Sequence, residues 1–253
     1  MRSPSPLSRL ARWSTISCLT ALLACAAQTS SGESAAPVDP ESSVRPGVND
    51  KYFADDAATE WTEVLERERR DVITHRDEIV AALGLTPGMA VADVGAGTGA
   101  FLEPVSAALG PEGQLYAVDI APPFLEHLRA RAEGAGLDNV KVVEGADRSI
   151  NLPPASLDLL FMCDVYHHLE YPSAYLRSLL QALRPGGRMV IVEFDKVPGK
   201  TSARMMKHVR QDKATLLREV LAEGFVLDRE VESIPFRENY MLVFRSDAPD
   251  IAP

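Results

Sequence analysis

Cysteine is scarce in this chain of 253 residues: three occur, at Cys18, Cys25 and Cys163. Three thiols so far apart cannot form a disulfide framework, and no cysteine and histidine cluster has zinc-finger spacing. Positive charge is short as well. The 26 Lys and Arg stand against 36 Asp and Glu, for a formal charge of −10 and a pI near 5.0. Binding along a phosphate backbone needs a basic footprint, so nucleic acid is excluded as a partner and an anionic membrane surface is disfavoured. The 16 Gly and 18 Pro follow no collagen period. With no internal repeat either, collagen, a coiled coil and a long disordered protein are ruled out. The length allows one domain of about 100–200 residues with additions.

Those counts merge two segments of different character. Residues 1–24 carry Arg2, Arg9 and Arg12, then the apolar run from Trp13 to Ala24, then small residues. This is the order of a basic region, an apolar region too short to span a bilayer as a helix, and a cleavage zone, and it reads as an export signal. No twin-arginine pair precedes the apolar run, which favours export of the unfolded chain. Leu22-Leu-Ala-Cys25 resembles a bacterial lipobox, in which Cys25 is lipidated and becomes the first mature residue. Ordinary signal-peptidase cleavage nearby is the alternative, and a start codon set too far upstream of a cytoplasmic enzyme is the other. Removal of residues 1–24 leaves 229 residues at −13. The expected location is therefore the periplasm or a membrane-anchored lipoprotein, with Cys25 as the sole membrane link.

Residues 25–50 are rich in Ser, Ala, Pro, Gly and Glu and read as a flexible tether, because so few apolar groups cannot offset the ordering entropy. Between Asp55 and Leu85 the residues Trp61, Val64, Leu65, Val72, Ile73, Ile79, Val80 and Leu83 recur at three- and four-residue intervals. That spacing predicts two amphipathic helices, or one bent helix, in a helical lid over 51–85, with Trp61 in the core. From residue 86 to 246 strands and helices alternate. The strands are placed at Met89–Val94, Gln114–Val118, Val140–Val143, Leu157–Met162, Arg188–Phe194, Phe225–Ser233 and Tyr240–Phe244. Helices fall at Ala100–Leu109, Pro122–Glu133, Ser173–Leu183 and Lys213–Ala222. Arg184-Pro-Gly-Gly187 suits a type II turn and Gly224 a left-handed helix cap. The alternation implies an α/β, Rossmann-like, doubly wound and mainly parallel sheet. Residues 247–253 read as a disordered tail.

Asp93-Val-Gly95-Ala-Gly97-Thr-Gly99 places three glycines between an apolar strand and a helix. Glycine lets the backbone turn tightly and lets a ligand approach the main chain. The same glycines satisfy the looser dinucleotide fingerprint, so two carboxylates must arbitrate. Asp119 ends the second strand, where an acidic side chain accepts both hydroxyls of a ribose. Asp93, two residues before the first glycine, would repel a pyrophosphate and favours a ligand with a cationic end. Adenosine joined to an ammonium-bearing amino acid describes S-adenosylmethionine.

On these residues the chain resembles the class I S-adenosylmethionine-dependent methyltransferases, in particular the ubiquinone/menaquinone-biosynthesis-like branch that acts on small molecules. The carriers are Val91-Ala-Asp-Val-Gly-Ala-Gly-Thr-Gly99, Tyr116-Ala-Val-Asp-Ile120, Glu144-Gly-Ala-Asp147, Asp158 to Leu169, and Leu183-Arg-Pro-Gly-Gly-Arg-Met-Val-Ile191. The resemblance implies a seven-stranded sheet with the last strand antiparallel. It implies that Asp93 and Gly95, Ala96, Gly97, Thr98 and Gly99 hold the methionine part and that Asp119 holds the ribose. Ile120 would pack on adenine, Asp147 with Ala146 would meet its amino group, and Cys163 or Asp164 would line the floor near the sulfonium.

Histidines at the end of a strand, His167 and His168, are the candidate catalytic bases, with positioning of backbone and helix as the competing role. Tyr166 and Glu193 rank below them, and His208-Val-Arg210 reads as a solvated helix face. Two adjacent histidines lack a third ligand at metal-site spacing, so no metal is expected. The resulting expectation is an envelope methyltransferase for an unidentified small acceptor, with no protein partner indicated. Its rivals are a non-catalytic lipoprotein using the same fold to bind a small ligand, and a nicotinamide-dependent hydride transferase.

Overall fold

The computed structural model describes residues 42–246; the expected export signal, Cys25, the expected tether up to residue 41 and the expected tail lie outside the described residues. A short 3-10 turn at Asp50–Tyr52 leads into three helices, α1 (Ala57–Leu65), α2 (Asp71–Thr74) and α3 (Arg76–Ala82). The alternating part follows as β1 (Ala90–Val94), α4 (Leu102–Leu109), β2 (Gln114–Asp119), α5 (Pro122–Gly134), β3 (Val140–Glu144) and β4 (Leu157–Cys163). Then come α6 (Pro172–Ala182), β5 (Leu183–Phe194), α7 (Ala203–His208), α8 (Lys213–Ala222), β6 (Phe225–Glu230) and β7 (Asn239–Ser246). Local chemistry sets several of the starts. Pro122 and Pro172 open α5 and α6 where no amide donor is needed. Ser202 and Asp212 cap α7 and α8 by accepting from the amides of Met205 and Thr215.

The seven strands form one sheet in the order β3-β2-β1-β4-β5-β7-β6, parallel except for β7, which is antiparallel to both β5 and β6. Successive strand residues face opposite sides. Val94, Leu160, Met162 and Ile191 therefore join a core with Leu176, Leu179, Leu216 and Val220 of α6 and α8. Val91, Leu159, Phe161 and Val190 join the other, against Ile79 of α3, Leu83 at its C-cap, and Leu102 and Leu109 of α4. The strand order reverses between β1 and β4, and open α/β sheets bind ligands outside the carboxyl ends at that point. Asp93, Asp119 and Cys163 all sit at this edge.

Three local expectations are corrected. The Arg184–Gly187 turn does not precede β5 but interrupts it. Leu183 already pairs with Leu157, and the next partners are Leu159 and Arg188, so the turn bulges out of the ladder with Gly186 at φ +76°. The amphipathic stretch makes three helices. Arg70 is extended at the break, and the buried carboxylate of Asp71 accepts from the amides of Arg237 and Glu238 at 2.6 and 2.5 Å, which pins α2 to the start of β7. The end of the tether is tied down as well. Val44 N donates to Glu170 O, Ser43 Oγ and Gly47 N donate to the Glu170 carboxylate, and Asn49 Nδ2 donates to His168 O.

Candidate functional site

A cavity of about 1430 Å³ opens at the carboxyl edge of the sheet. Its floor begins with the glycine turn. The three glycines all have positive φ, at +69°, +54° and +78°, but they serve different ends. A Cβ on Gly95 would lie 2.6 Å from both methyls of Val165, so this position is dictated by the loop after β4. On Gly99 it would strike Leu102 and Leu128, and Gly99 is absent from the cavity lining, so its place is in helix packing. A Cβ on Gly97 would meet nothing nearer than 3.9 Å, and that residue lines the cavity together with Ala96 and Thr98. Gly97 is the glycine whose missing side chain leaves room for a ligand.

Asp93 is 4% exposed and lines the cavity, and among the described residues no group donates to its carboxylate. Burial, with the neighbouring Asp119 charge, pushes it up to about 7. Asp119 is raised by burial too, but it accepts from Gly97 N at 2.9 Å and Ala121 N at 3.0 Å, which favour its charged form. Ile120, Ala146 and Asp147 stand on the adjoining wall, with Asp147 exposed and an antiparallel bridge between Ala146 and Ser149 shaping the loop.

Cys163 ends β4 and Asp164 follows it. Burial pushes the Cys163 thiol well above its usual value, so it remains protonated. Asp164 has φ +55°, accepts from Arg70 Nη2 and Asn239 Nδ2 at 2.7 Å each, and is raised to about 6 by burial against the opposing pull of Arg70. Arg70 and Asn239 had no signal in the sequence. They come from the start of α2 and from β7, and only the fold brings them to the end of β4.

The far end of the cavity is aromatic, imidazole-rich and cationic. Tyr52 meets Trp61, Phe124 and His168 edge-on, at centroid distances of 5.0, 6.0 and 5.4 Å. Lys51 Nζ lies 4.3 Å from the Trp61 ring centre. Trp61 is therefore partly buried on the cavity wall and not in the core, because the cluster of Ala57, Ala58, Ala121 and Phe124 that it joins is a satellite under the lid. Both His167 and His168 line this end. His167 Nδ1 lies 2.9 Å from Glu193 Oε2, and Glu193 is fully buried while also accepting from the amides of His167 and Phe194. Burial drives His168 well below the usual histidine value.

His208-Val-Arg210 is not a solvated face. The chain after β5 folds back over the carboxyl edge, where Arg45 donates to His208 O, Val209 is buried, and Arg210 makes a two-pronged bond to Glu219. His208 thus enters the cavity, with Nε2 3.2 Å from His167 Nε2. Burial lowers it to about 4. Tyr166 faces the opposite way, donating to Glu219 Oε2 at 2.8 Å in the core.

A buried carboxylate lacking a donor, a glycine with an open Cβ direction and a strand-end Asp thus meet at the topological switch. The fold is that of the class I S-adenosylmethionine-dependent methyltransferases. Residues 92–189 match the family model described as a methyltransferase domain. The ubiquinone/menaquinone biosynthesis C-methyltransferase UbiE of Ectopseudomonas mendocina is 31% identical over 117 residues, which are 46% of this chain and 45% of that protein. The chain thus matches less than half the length of this curated relative. A SAM-dependent methyltransferase from Aquifex aeolicus superposes with a TM-score of 0.67 at 22% identity, over 75% of this chain and 98% of that one. A structure from Bordetella parapertussis, described as a possible exported protein, has a TM-score of 0.56 at 19% identity over 70% and 68% of the two chains.

Proposed function

We propose that this protein is an S-adenosylmethionine-dependent methyltransferase acting on a small-molecule acceptor. The observation that carries this reading is Asp93, a buried carboxylate on the cavity floor with no donor of its own beside an unobstructed Gly97. That pair suits the ammonium group and chain of a bound amino acid. Gly95, Ala96 and Thr98 complete the backbone cradle. Asp119, already fixed by two amides, would receive the ribose hydroxyls, with Ile120 on adenine, Ala146 and Asp147 at its amino edge, and Cys163 and Asp164 beneath the methionine sulfur.

When bound, S-adenosylmethionine supplies an electrophilic methyl carbon on a good leaving group. The protein's task is then to hold the acceptor in line and exclude water, and alignment can account for much of the rate. Tyr52, Trp61 and Phe124 offer an apolar wall for this, and the three imidazoles offer polar contacts to the reacting group. Titration calorimetry of the full chain should give one saturable site for S-adenosylmethionine and for S-adenosylhomocysteine. Absence of binding by both would overturn the reading.

We also propose export to the cell envelope, on the basic, apolar and small-residue order of residues 1–24 and the Cys25 sequence. The description of the Bordetella parapertussis structure as a possible exported protein is consistent with this. Radiolabelled palmitate should enter the wild-type protein in a bacterial host and be lost in Cys25→Ser; label that persists in the variant would remove the lipid anchor.

A further inference from the structure

We propose that His167, His168 and His208 bind one divalent transition-metal ion of the zinc class at the far end of the cavity. Along the sequence the first two imidazoles have no third partner; the return of the chain after β5 supplies it. One ring nitrogen from each side chain lies within 4.8 Å of the others. Two nitrogens held at about 2.0–2.1 Å by a tetrahedral ion are about 3.3 Å apart. His167 Nε2 and His208 Nε2, at 3.2 Å, already span one such edge. The His168 ring centre is 4.2 Å from that of His167 and 5.3 Å from that of His208, so a side-chain rotation completes the set.

Two further features point to a ligand. His168 Nδ1 is buried without a hydrogen-bond partner. The other is the support beneath His167. An imidazole whose Nδ1–H donates to a carboxylate presents the Nε2 lone pair and is made a stronger ligand, the arrangement by which metal-bound histidines are held. Glu193 plays that part at 2.9 Å from Nδ1, and it is itself fixed by two backbone amides. The Nε2 lone pair of His167 then faces His208 Nε2, and the contact is completed either by a proton on His208 Nε2 or by a cation held between the two rings. Three imidazoles suit zinc and its neighbours, and not the hard cations that prefer oxygen.

Three protein ligands leave a fourth position open to the cavity. Arg45, Lys51, Arg204 and Lys207 line the same region, so the charge around the ion favours an anionic ligand there. On the methyl-transfer reading, on which this last step rests, that ligand is the acceptor's ionised hydroxyl or thiol.

The test uses the full chain, purified without a histidine tag and freed of metal by chelator. Titration with Zn²⁺ should give one equivalent bound, and Co²⁺ should develop the visible absorption of a four-coordinate nitrogen-bound centre. His168→Ala and His208→Ala should weaken binding at least about a hundredfold, and Glu193→Gln about 10–100-fold. His75→Ala, outside the cluster, should leave it unchanged. Retained circular dichroism identifies the variants that fold. No saturable binding of either ion by the wild type overturns the proposal, as does equal binding by the wild type and the folded His168→Ala and His208→Ala proteins. S-adenosylhomocysteine titrated into the same samples separates the two readings. Metal binding without it overturns methyl transfer alone, and the converse overturns the metal site alone.

Discussion

Asp93 carries a burial cost that a cationic ligand would offset. Its folded pKa of about 7 lies above that of an unfolded aspartate, so the folded chain holds the proton more tightly. The stability tied to this group is complete below the unfolded pKa and is lost as pH rises through about 7, a swing of about 4 kcal/mol at roughly 1.4 kcal/mol per unit. Asp93→Asn should therefore melt higher than the wild type at pH 8, with the difference shrinking at pH 5. The same variant should bind S-adenosylmethionine about 10–100-fold more weakly, because a charge-assisted bond to the ammonium group is gone. Wild-type affinity should itself fall as pH drops through about 7. Thermal melts and calorimetry at the two pH values check all three; a variant no more stable at pH 8 would contradict the buried-charge account. Gly95 offers a separable test. Gly95→Ala should destabilise through the Val165 clash, and adding Val165→Ala should recover part of the loss. What remains measures the strain at φ +69°. Asp93, Asp119 and the glycine turn could be found in the sequence because each is marked by neighbours a few residues away. Arg70, Asn239 and His208 could not, since nothing near them in the chain names their partners.

At the scale of elements, the N-terminal helices are held by apolar packing of Val72, Ile79 and Leu83 and also by ion pairs to carboxylates that are themselves buried. Arg70 reaches from the start of α2 to Asp164 at the end of β4, and Asp71 is bound by Arg237 and Glu238 ahead of β7. Arg70→Ala leaves Asp164 buried with Asn239 as its remaining side-chain donor. Breaking a buried pair typically costs about 3–5 kcal/mol. Asp164 can escape that cost by protonation, since its pKa is already about 6 with Arg70 present and rises further without it. The loss in melting temperature should thus be large at pH 8 and small at pH 5, and limited proteolysis should cut between α1 and α2 sooner at the higher pH. Equal losses at both values would mean that Arg70 acts by packing. The seven strands and the four helices placed in the sheet region were legible to within about five residues, because their alternating and helical periods are local, whereas the six-residue α7 (Ala203–His208) was not placed. The lid was legible as helical but not in its breaks, which are made by Asp71 and Arg70 bonding to strands far along the chain.

For the molecule as a whole, the acidic composition and the cavity pull in opposite directions. A chain with a net charge of −10 gathers Arg45, Lys51, Arg204 and Lys207 around one end of its cavity. That concentration is invisible in the total. None of the helices among the described residues is long and apolar enough to cross a membrane. The sequence by itself determined the α/β class, the seven strands, the glycine turn and the two strand-end carboxylates. These depend on short-range periodicity, backbone freedom at glycine and the position of a charge relative to a strand end. Only the tertiary structure decided which glycine faces the cavity, that Trp61 lines a wall, that the end of the tether docks on Glu170, and that His208 joins His167 and His168. Each of those depends on where distant segments cross the sheet edge, and the energy that sets those crossings comes from the packed core and its buried ion pairs.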